Sequence, residues 1–224
     1  MSVLTKEKLK LFCFIADFCE AKALLQNFYF KKQEGNNLYQ YESKQFLLDV
    51  CILNSWGEAA VMCALQNYPQ ALTSYDLWLN IGFAGACNPS IPLQKCFLIK
   101  SLRKSSSTDP KCLTQDPALI LNTIGTTLPS NTLVTAEAPY TLGFHNTFQL
   151  IDMEGYMIAS LAKQYQQPLS MLKIISDYTI PRRDDFIKKQ SPQLATKLAE
   201  TFMTHLFEIV AVTHCPMILE QTAL

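Results

Sequence analysis

Short, almost wholly apolar runs alternate with stretches of helical spacing along this chain. Leu9–Ala16 is followed from Cys19 to Phe30 by apolar residues about 3.6 positions apart, and Phe46–Leu53 is followed by the Ala-rich segment Gly57–Asn67. A run without polar interruptions is typical of a strand that is buried on both faces of a sheet. Repeated strand and helix units favour parallel pairing through right-handed crossovers.

The same pattern returns after a less regular middle section. Tyr75–Phe83 and Leu169–Ser176 are predicted as buried strands, Gln94–Arg103 as a longer strand, and Leu133–Thr135 as a short one. No linker, composition shift or repeat of fixed period divides the chain. We therefore expect a single domain, residues 1–224, with a three-layer α/β/α architecture around a central mixed, mainly parallel twisted sheet.

Two further helices are predicted in the second half of the chain. From Met153 onward the apolar residues share one helical face, and Asp152 is placed to act as the N-cap. The polar segment Pro181–Asp185 follows the last strand. Ser191–Val212 is then expected to form a long closing helix, with Ser191 as the cap and a proline in the first turn.

Composition argues against several classes of function. Lys plus Arg and Asp plus Glu both number 19, so the chain has no net field to attract nucleic acid or an anionic membrane. Its eight cysteines form no C-x-x-C pair, which favours reduced core cysteines in a cytoplasmic protein. The apolar run Leu11–Ala16 is too short for a signal-peptide core or a membrane span.

Candidate functional residues lie where the predicted strands end. In an open α/β sheet, ligands bind outside the carboxyl ends of the strands, which here are Ala16–Glu20, Phe83–Gly85 and Ser176–Asp177, together with the helix start at Asp152–Glu154. Glu20 either complements the dipole of the following helix or faces a ligand. The small residues of Gly82–Ala86 either allow close approach of the backbone to a ligand or form a tightly packed turn.

Glu154 and Asp177 are acids in apolar surroundings. Glu154 borders the apolar face of its predicted helix, so its carboxylate needs a partner, which is either a helix N–H group or a sugar diol. Asp177 ends a mostly apolar strand, and burial there would raise its pKa and make it a general acid near neutral pH. The alternative for Asp177 is an acid that only starts a turn.

Taken together, these segments resemble the nucleoside phosphorylase and nucleosidase superfamily over nearly the whole chain. Within it, the resemblance is closest to the bacterial methylthioadenosine/S-adenosylhomocysteine nucleosidases and the related futalosine hydrolases. The most specific matches are DMEG at Asp152–Gly155 and IISD at Ile174–Asp177. Leu11–Leu24 (LFCFIADFCEAKAL), Asn54–Ala60 (NSWGEAA) and Asn80–Ala86 (NIGFAGA) are similar to the superfamily's first strand and its glycine-containing turns.

The resemblance implies cleavage of an N-glycosidic bond. By position, Glu20 would activate the attacking water and Asp177 would protonate N7 of a purine, with Ser176 orienting Asp177. Glu154 would bind the ribose hydroxyls. Positive charge develops on the sugar and negative charge on the base, so this cleavage needs a base at the water and an acid at the leaving group.

Further contacts implied by the resemblance surround the nucleoside. An aromatic residue would stack on the base, another would cover the 5′ substituent, and an apolar side chain replaces the family's serine in the turn near the sugar. The residues concerned are Tyr140 for the stack, Phe186 for the 5′ end, Phe83 in place of the serine, and Ala84, Gly85 and Met153 along the base and ribose.

Water is the expected nucleophile. The chain has only three arginines (103, 182 and 183), and none lies in Leu77–Gly82, where the superfamily's phosphorylases have one beside the phosphate. The DMEG form and the divergent turns favour futalosine or 6-amino-6-deoxyfutalosine of menaquinone synthesis as the substrate. Methylthioadenosine or S-adenosylhomocysteine, and a non-catalytic nucleoside-binding relative, are the alternatives. The resemblance also implies a homodimer without a metal or an organic cofactor.

Overall fold

The computed structural model describes residues 8–33, 37–53, 55–121, 127–181 and 185–213, except for the side chains of residues 185–188 and 211–213. Strands and helices alternate through most of this chain. The strands are β1 (Leu9–Ile15), β2 (Lys31–Lys32), β3 (Leu38–Glu42), β4 (Phe46–Ile52), β5 (Leu77–Ala86), β6 (Cys96–Lys104), β7 (Leu119–Ile120), β8 (Ser130–Thr135), β9 (Leu150–Asp152) and β10 (Leu169–Tyr178). The helices are α1 (Phe18–Asn27), α2 (Glu58–Asn67), α3 (Gly155–Gln164) and α4 (Asp185–Thr213), with a 3₁₀ turn at Pro69–Leu72.

One mixed sheet joins these strands. Its centre is parallel: β1 pairs with β4 and β5, and β10 pairs with β5 along nearly its whole length. The antiparallel pairings are shorter or lie further out, such as β3 with β4 and β6 with β10. The predicted mixed, mainly parallel sheet is therefore confirmed. Parallel order places the carboxyl ends of β1, β5 and β10 at one edge.

Both faces of the sheet are covered, which explains the continuous apolar runs. In β1, Phe12 and Phe14 point to the core under α2 and α3, whereas Leu11 and Cys13 point to the core under α1 and α4. Successive side chains of a strand alternate between faces, so both sets of side chains of a strand buried on both sides are mostly apolar. The expected three-layer α/β/α architecture is confirmed.

The sequence predicted most of the long elements but missed four short strands: β2, β3, β7 and β9. Their patterns are weak because β3 is largely polar and β9 has only three residues. For the segment Gly82–Ala86, a tightly packed turn was one of the two alternatives. It lies inside β5, where it keeps its pairing with β10 and β9.

Two predicted helix starts are wrong. Asp152 is the last residue of β9, and the N-cap of α3 is Glu154. The Asp152 side chain still accepts a hydrogen bond from the Gly155 N–H at 3.0 Å, so it satisfies one donor of the first turn from inside the sheet. In the closing helix, Pro192 lies well inside α4 instead of in its first turn.

Four of the cysteines (Cys13, Cys51, Cys87 and Cys96) are buried, as expected of small core residues, whereas Cys19, Cys63 and Cys112 are exposed. All seven have free thiols, and Cys215 lies outside the described residues. Among the helices of the described chain, none is both long enough and apolar enough to cross a membrane.

Gly155 provides a test of how tightly α3 packs on the sheet. A Cβ atom at this position would lie 2.8 Å from both the Asp152 Oδ2 and the Leu133 Cδ2 atoms. We expect Gly155→Ala to lower the free energy of unfolding by about 1–3 kcal/mol through overpacking, as measured by urea denaturation. Ser160→Ala, at an exposed position of the same helix, is the control and should change it by less than about 0.5 kcal/mol.

Candidate active site

A cavity of about 840 Å³ lies at the edge where β1, β5 and β10 end. Its lining includes nine of the ten residues predicted for the site: Glu20, Phe83, Ala84, Gly85, Tyr140, Met153, Glu154, Ser176 and Asp177. The tenth, Phe186, belongs to α4, and its side chain lies outside the described residues. Residues from both ends of the chain thus meet at one place, as the strand-end rule predicts.

Glu20 reaches the cavity because α1 begins immediately after β1. The N-cap Asp17 accepts a hydrogen bond from the Cys19 N–H at 2.7 Å, and Glu20 lies in the first turn. Its Oε1 atom accepts the Phe83 N–H at 3.2 Å, while Oε2 is closed to solvent and has no hydrogen-bond partner among the described residues. Burial raises the pKa of Glu20 to about 8, against the attraction of Lys173.

A glycine at residue 82 leaves room for the Glu20 carboxylate in its observed position. A Cβ atom there would lie 2.8 Å from Glu20 Oε2, closer than non-bonded carbon and oxygen atoms approach. Gly85, further along β5, is similarly restricted, since its Cβ would lie 3.0 Å from Thr179 Cγ2. Both glycines allow close packing across the strand ends, and this packing occurs inside a strand instead of in a turn.

An unpredicted ion pair lies beneath these acids. Lys173, in the middle of β10, is 2% exposed, and its Nζ atom lies 2.9 Å from Asp152 Oδ2. The other carboxylate oxygen of Asp152 accepts the Thr135 hydroxyl at 2.7 Å, and this hydroxyl in turn accepts the Tyr156 N–H. A buried pair is stable only when its remaining donors and acceptors are satisfied, as those of Asp152 are.

Lys173 interacts electrostatically with three acids. Burial alone would lower its pKa, but the attraction of Asp152, Glu154 and Glu20 outweighs burial and holds the pKa above its ordinary value. The ammonium group therefore stays charged. It in turn attracts Glu20 and Glu154, which opposes the effect of their burial.

Glu154 is held between two helix starts. It is the N-cap of α3, but its Oε1 atom accepts the N–H of Gly57, the N-cap of α2, at 2.9 Å. Gly57 has a φ of +82°, a backbone conformation that favours glycine. Burial raises the pKa of Glu154, and repulsion from Asp152 raises it further. Glu154 therefore has a helix N–H group as its partner, as predicted, but this group belongs to α2 instead of α3.

Asp177 lies at a β-bulge. The register between β10 and β5 shifts between Ile175 and Asp177, so the strand continues to Tyr178 instead of breaking at Asp177. Bulges re-aim side chains at the rim of a sheet. The Ser176 hydroxyl donates to Asp177 Oδ1 at 2.6 Å, which orients the carboxylate. Asp177 is half-buried and lines the cavity, which it shares with Glu20.

Tyr140 forms part of the cavity wall. Its ring packs against Phe148 with centroids 6.2 Å apart, and its hydroxyl is buried without a hydrogen-bond partner among the described residues. Phe83, Ala84 and Met153 also line the cavity with apolar surface. The wall around the two acids is thus mostly apolar.

Sequence reasoning missed Lys173 and the pairing role of Asp152. The signal was present, because Lys173 is the only charged residue in the run from Leu169 to Ser176. A lysine in a strand buried on both faces needs an acidic partner. Nothing in the local pattern identifies that partner, since Asp152 lies on a different strand that was not predicted.

The comparisons with known proteins agree with this geometry. No protein-family model matches the chain, and a search of curated proteins finds no significant match. Among solved structures, the nucleosidase MTAN of Chlamydia trachomatis bound to MTA is 38% identical, with a TM-score of 0.78 over 89% of this chain and 98% of that one. The same enzyme bound to adenine is 39% identical, with a TM-score of 0.76 over 91% and 98%.

A more distant structure shares the fold. The 5′-methylthioadenosine/S-adenosylhomocysteine nucleosidase of Helicobacter pylori is 14% identical, with a TM-score of 0.74 over 91% of this chain and 100% of that one. Fold, cavity and neighbours define an N-glycosyl hydrolase of the nucleoside phosphorylase and nucleosidase superfamily. At 38% identity across nearly the full length of its Chlamydia relative, the chain belongs to the methylthioadenosine/S-adenosylhomocysteine nucleosidase family.

The buried Glu20 makes a prediction about stability. Its pKa of about 8 in the folded protein lies above the ordinary value of 4.5, so the stability that it contributes is complete below the ordinary value and is lost as the pH rises through about 8. We expect Glu20→Gln, which stays neutral, to melt at about the same temperature as the unsubstituted protein near pH 5. It should melt at a higher temperature near pH 9.

Differential scanning calorimetry at matched ionic strength measures both proteins. Glu200→Gln, at an exposed position of α4 outside the cavity, is the control. The difference in melting temperature between this variant and the unsubstituted protein should be the same at both pH values. Equal melting temperatures of Glu20→Gln and the unsubstituted protein near pH 9 would show that Glu20 titrates at its ordinary value.

Proposed function

We propose that this protein hydrolyses the N-ribosidic bond of 5′-methylthioadenosine and related 5′-substituted adenine nucleosides, with water as the nucleophile. The proposal depends mainly on one observation: Glu20 and Asp177, from opposite ends of the chain, line the same cavity. Glu154 lines it as well. Three acids around a cavity large enough for a nucleoside supply a base, an acid and a ligand for hydroxyl groups.

Glu20 acts as the general base. Glu20 lines the cavity, and its buried Oε2 atom has no hydrogen-bond partner among the described residues, so the carboxylate keeps one acceptor unused by the protein. The carboxylate takes a proton from a water molecule as the water oxygen attacks C1′ of the ribose. A pKa of about 8 makes Glu20 a stronger base than a solvated glutamate. Lys173 keeps enough of it ionised to accept the proton.

Asp177 acts as the general acid. It donates its proton to N7 of the purine while the bond between C1′ and N9 breaks, so the base leaves neutral. Ser176 holds the carboxyl group by the hydrogen bond to Oδ1. Gly85, which pairs with Asp177 between β5 and β10, also lines the cavity.

Glu154 binds the ribose hydroxyls. Its Oε1 atom is occupied by the Gly57 N–H, which fixes the carboxylate and leaves the second oxygen for a diol. Hydrogen bonds from hydroxyl groups to a carboxylate are stronger than neutral ones. Met153, the preceding residue on the cavity wall, packs against the sugar.

Water is preferred to phosphate because the described lining of the cavity contains no arginine. Arg103 belongs to β6 and does not line the cavity, while Arg182 and Arg183 lie outside the described residues. Phosphate recognition usually relies on bidentate guanidinium contacts. The five acids of the lining, which include Asp17 and Asp152, would also repel a phosphate dianion.

The comparisons favour methylthioadenosine over the futalosine substrates expected from the sequence. Two of the similar Chlamydia structures were solved with MTA or adenine bound, and the comparisons lend the futalosine expectation no support. Futalosine and 6-amino-6-deoxyfutalosine therefore serve as comparison substrates in the assay below.

The remaining expectations concern the oligomeric state and the cellular compartment. We propose a homodimer of single-domain subunits in the cytoplasm. Leu142 and Phe144, beside the cavity residue Thr141, are 49% and 45% exposed, and neighbouring exposed apolar side chains mark candidate interfaces. The free thiols of the described cysteines are compatible with a reducing compartment. Light scattering of the purified protein would test the dimer.

The activity test measures free base by chromatography without phosphate. We expect methylthioadenosine to yield adenine, and Glu20→Gln and Asp177→Asn each to lower kcat by at least about 100-fold, the usual contribution of one proton-transfer group. Glu58→Gln, an acid outside the cavity, is the control and should retain most of the activity. Cleavage that requires phosphate would overturn the hydrolase proposal, and binding without cleavage would indicate a non-catalytic relative.

The pH dependence tests the role of Glu20. Because the base must be ionised and its pKa is about 8, kcat/KM should fall about tenfold per pH unit below that value. Lys173→Gln should move this limb to higher pH, since Lys173 lowers the pKa of Glu20, whereas Lys173→Arg should move it less. A limb that stays in place in both variants would exclude Glu20 as the titrating base.

A further inference from the structure

The loop between β8 and β9, residues 136–149, forms one wall of the cavity. Three of its residues line the cavity: Pro139, Tyr140 and Thr141. We call residues 138–142 the wall segment. Through its backbone, the wall segment makes no hydrogen bond with another described residue. Its position therefore depends on how the loop is held at the two ends of the segment.

The end of the wall segment that precedes β9 is held by Thr179. On the β8 side, the Ala136 N–H donates to the carbonyl of Asp152 at 2.8 Å. On the other side, the Gly143 N–H donates to the Thr179 carbonyl at 2.8 Å, and the Thr179 hydroxyl donates to the Gly143 carbonyl at 3.0 Å. Thr179 thus satisfies both backbone groups of Gly143.

Thr179 also connects the loop to the two central strands that end at the cavity. It follows directly on β10, two residues after Asp177. Its N–H donates to the carbonyl of Ala86, the last residue of β5, at 3.1 Å, and its hydroxyl lies 3.3 Å from the same carbonyl. One hydroxyl hydrogen is therefore shared between the carbonyls of Ala86 and Gly143.

The junction between Thr179 and Gly143 is buried. Thr179 is 1% exposed, so water cannot readily replace its hydroxyl, and an apolar residue there would leave the Gly143 carbonyl without a donor. Phe144 and Tyr178 also join the loop to the end of β10, with ring centroids 5.6 Å apart, but Phe144 is exposed. The next backbone hydrogen bond, from His145, lies two residues further along the loop.

We propose that Thr179 is a positioning residue for substrate binding, whose hydroxyl holds the wall segment on the side of the cavity where Asp177 lies. The proposal rests on the nucleosidase function given above, in which the purine lies at Asp177. Thr179 acts through the loop and not on the reacting atoms. The hydrogen bonds that hold Glu20 and Asp177 come from Phe83 and Ser176, so a looser wall affects binding and leaves bond cleavage unchanged.

Thr179→Val tests the hydroxyl, because valine keeps the shape and the methyl group that faces Gly85. We expect KM for methylthioadenosine to rise about tenfold, the effect of losing one buried hydrogen bond, and kcat to stay within about twofold. Thr179→Ser, which keeps the hydroxyl, should retain the KM of the unsubstituted protein. Thr204→Val is the control, since it removes a 3.0 Å bond from a threonine hydroxyl to a carbonyl outside the cavity.

Gly143→Ala tests the same junction from the loop side. Gly143 has a φ of +98°, and no atom lies within 4 Å of an added Cβ, so alanine strains the backbone without a clash. This variant should also raise KM. Because both changes loosen one junction, KM of Thr179→Val/Gly143→Ala should rise by less than the product of the two single effects. In the Thr204→Val background, Gly143→Ala should keep its full effect.

Several results would overturn the proposal while leaving the nucleosidase function intact. They are an unchanged KM in Thr179→Val, a fall in kcat without a rise in KM, a Thr179→Ser variant as impaired as Thr179→Val, or effects of Thr179→Val and Gly143→Ala that multiply. If Thr179→Val does not fold, Gly143→Ala decides: a raised KM with unchanged kcat upholds the proposal, and an unchanged KM overturns it.

Failure of the proposed function gives a different result, in which the unsubstituted protein cleaves no nucleoside. Calorimetric titration with adenine then replaces KM. Binding that is about tenfold weaker in Thr179→Val and normal in Thr179→Ser would uphold the role of the hydroxyl. Equal affinities in the three proteins, or no binding of adenine to the unsubstituted protein, would overturn it.

Discussion

The charge balance around Lys173 is the interaction on which the rest of the site depends. Asp152, Glu154 and Glu20 are acids at or near the buried edge of the sheet, and a carboxylate without a partner there would be strongly disfavoured. Lys173 pairs directly with Asp152 and attracts the other two. Because the ammonium group is fixed in the middle of a central strand, it stays close to the acids without leaving the core.

This balance connects stability with catalysis. The attraction of Lys173 does not fully offset the burial of these acids, since the pKa values of Glu20 and Glu154 are still raised. A glutamate that is costly to ionise is also a stronger base once ionised. The backbone contributes by close approach: a glycine at residue 82 leaves room for the Glu20 carboxylate, and the Phe83 N–H holds it. The buried acids of the site therefore lower the stability of the fold, as is common at active sites.

Much of the architecture and of the site followed from the sequence. Strands buried on both faces leave a clear apolar pattern, and the rule for strand ends then brought Glu20 and Asp177 to one edge. Boundaries were less predictable. Pro192 suggested a helix start, yet α4 begins at Asp185. Gly82–Ala86 suggested a turn, yet it is strand. Proline and glycine indicate which backbone conformations are favoured locally. Pairing with β10 and packing on the sheet determine whether a segment becomes a strand or a helix and where it begins.

By itself, the sequence determined the alternation of buried strands and helices, the acids at the strand ends, and the resemblance that assigns their chemistry. Those features are local, since each depends on a few neighbouring residues and their spacing. The tertiary structure decided the partners: Lys173 with Asp152, Glu154 with the Gly57 N–H, and Glu20 with the Phe83 N–H. Such contacts join residues far apart in the chain, and only folding determines which of them meet.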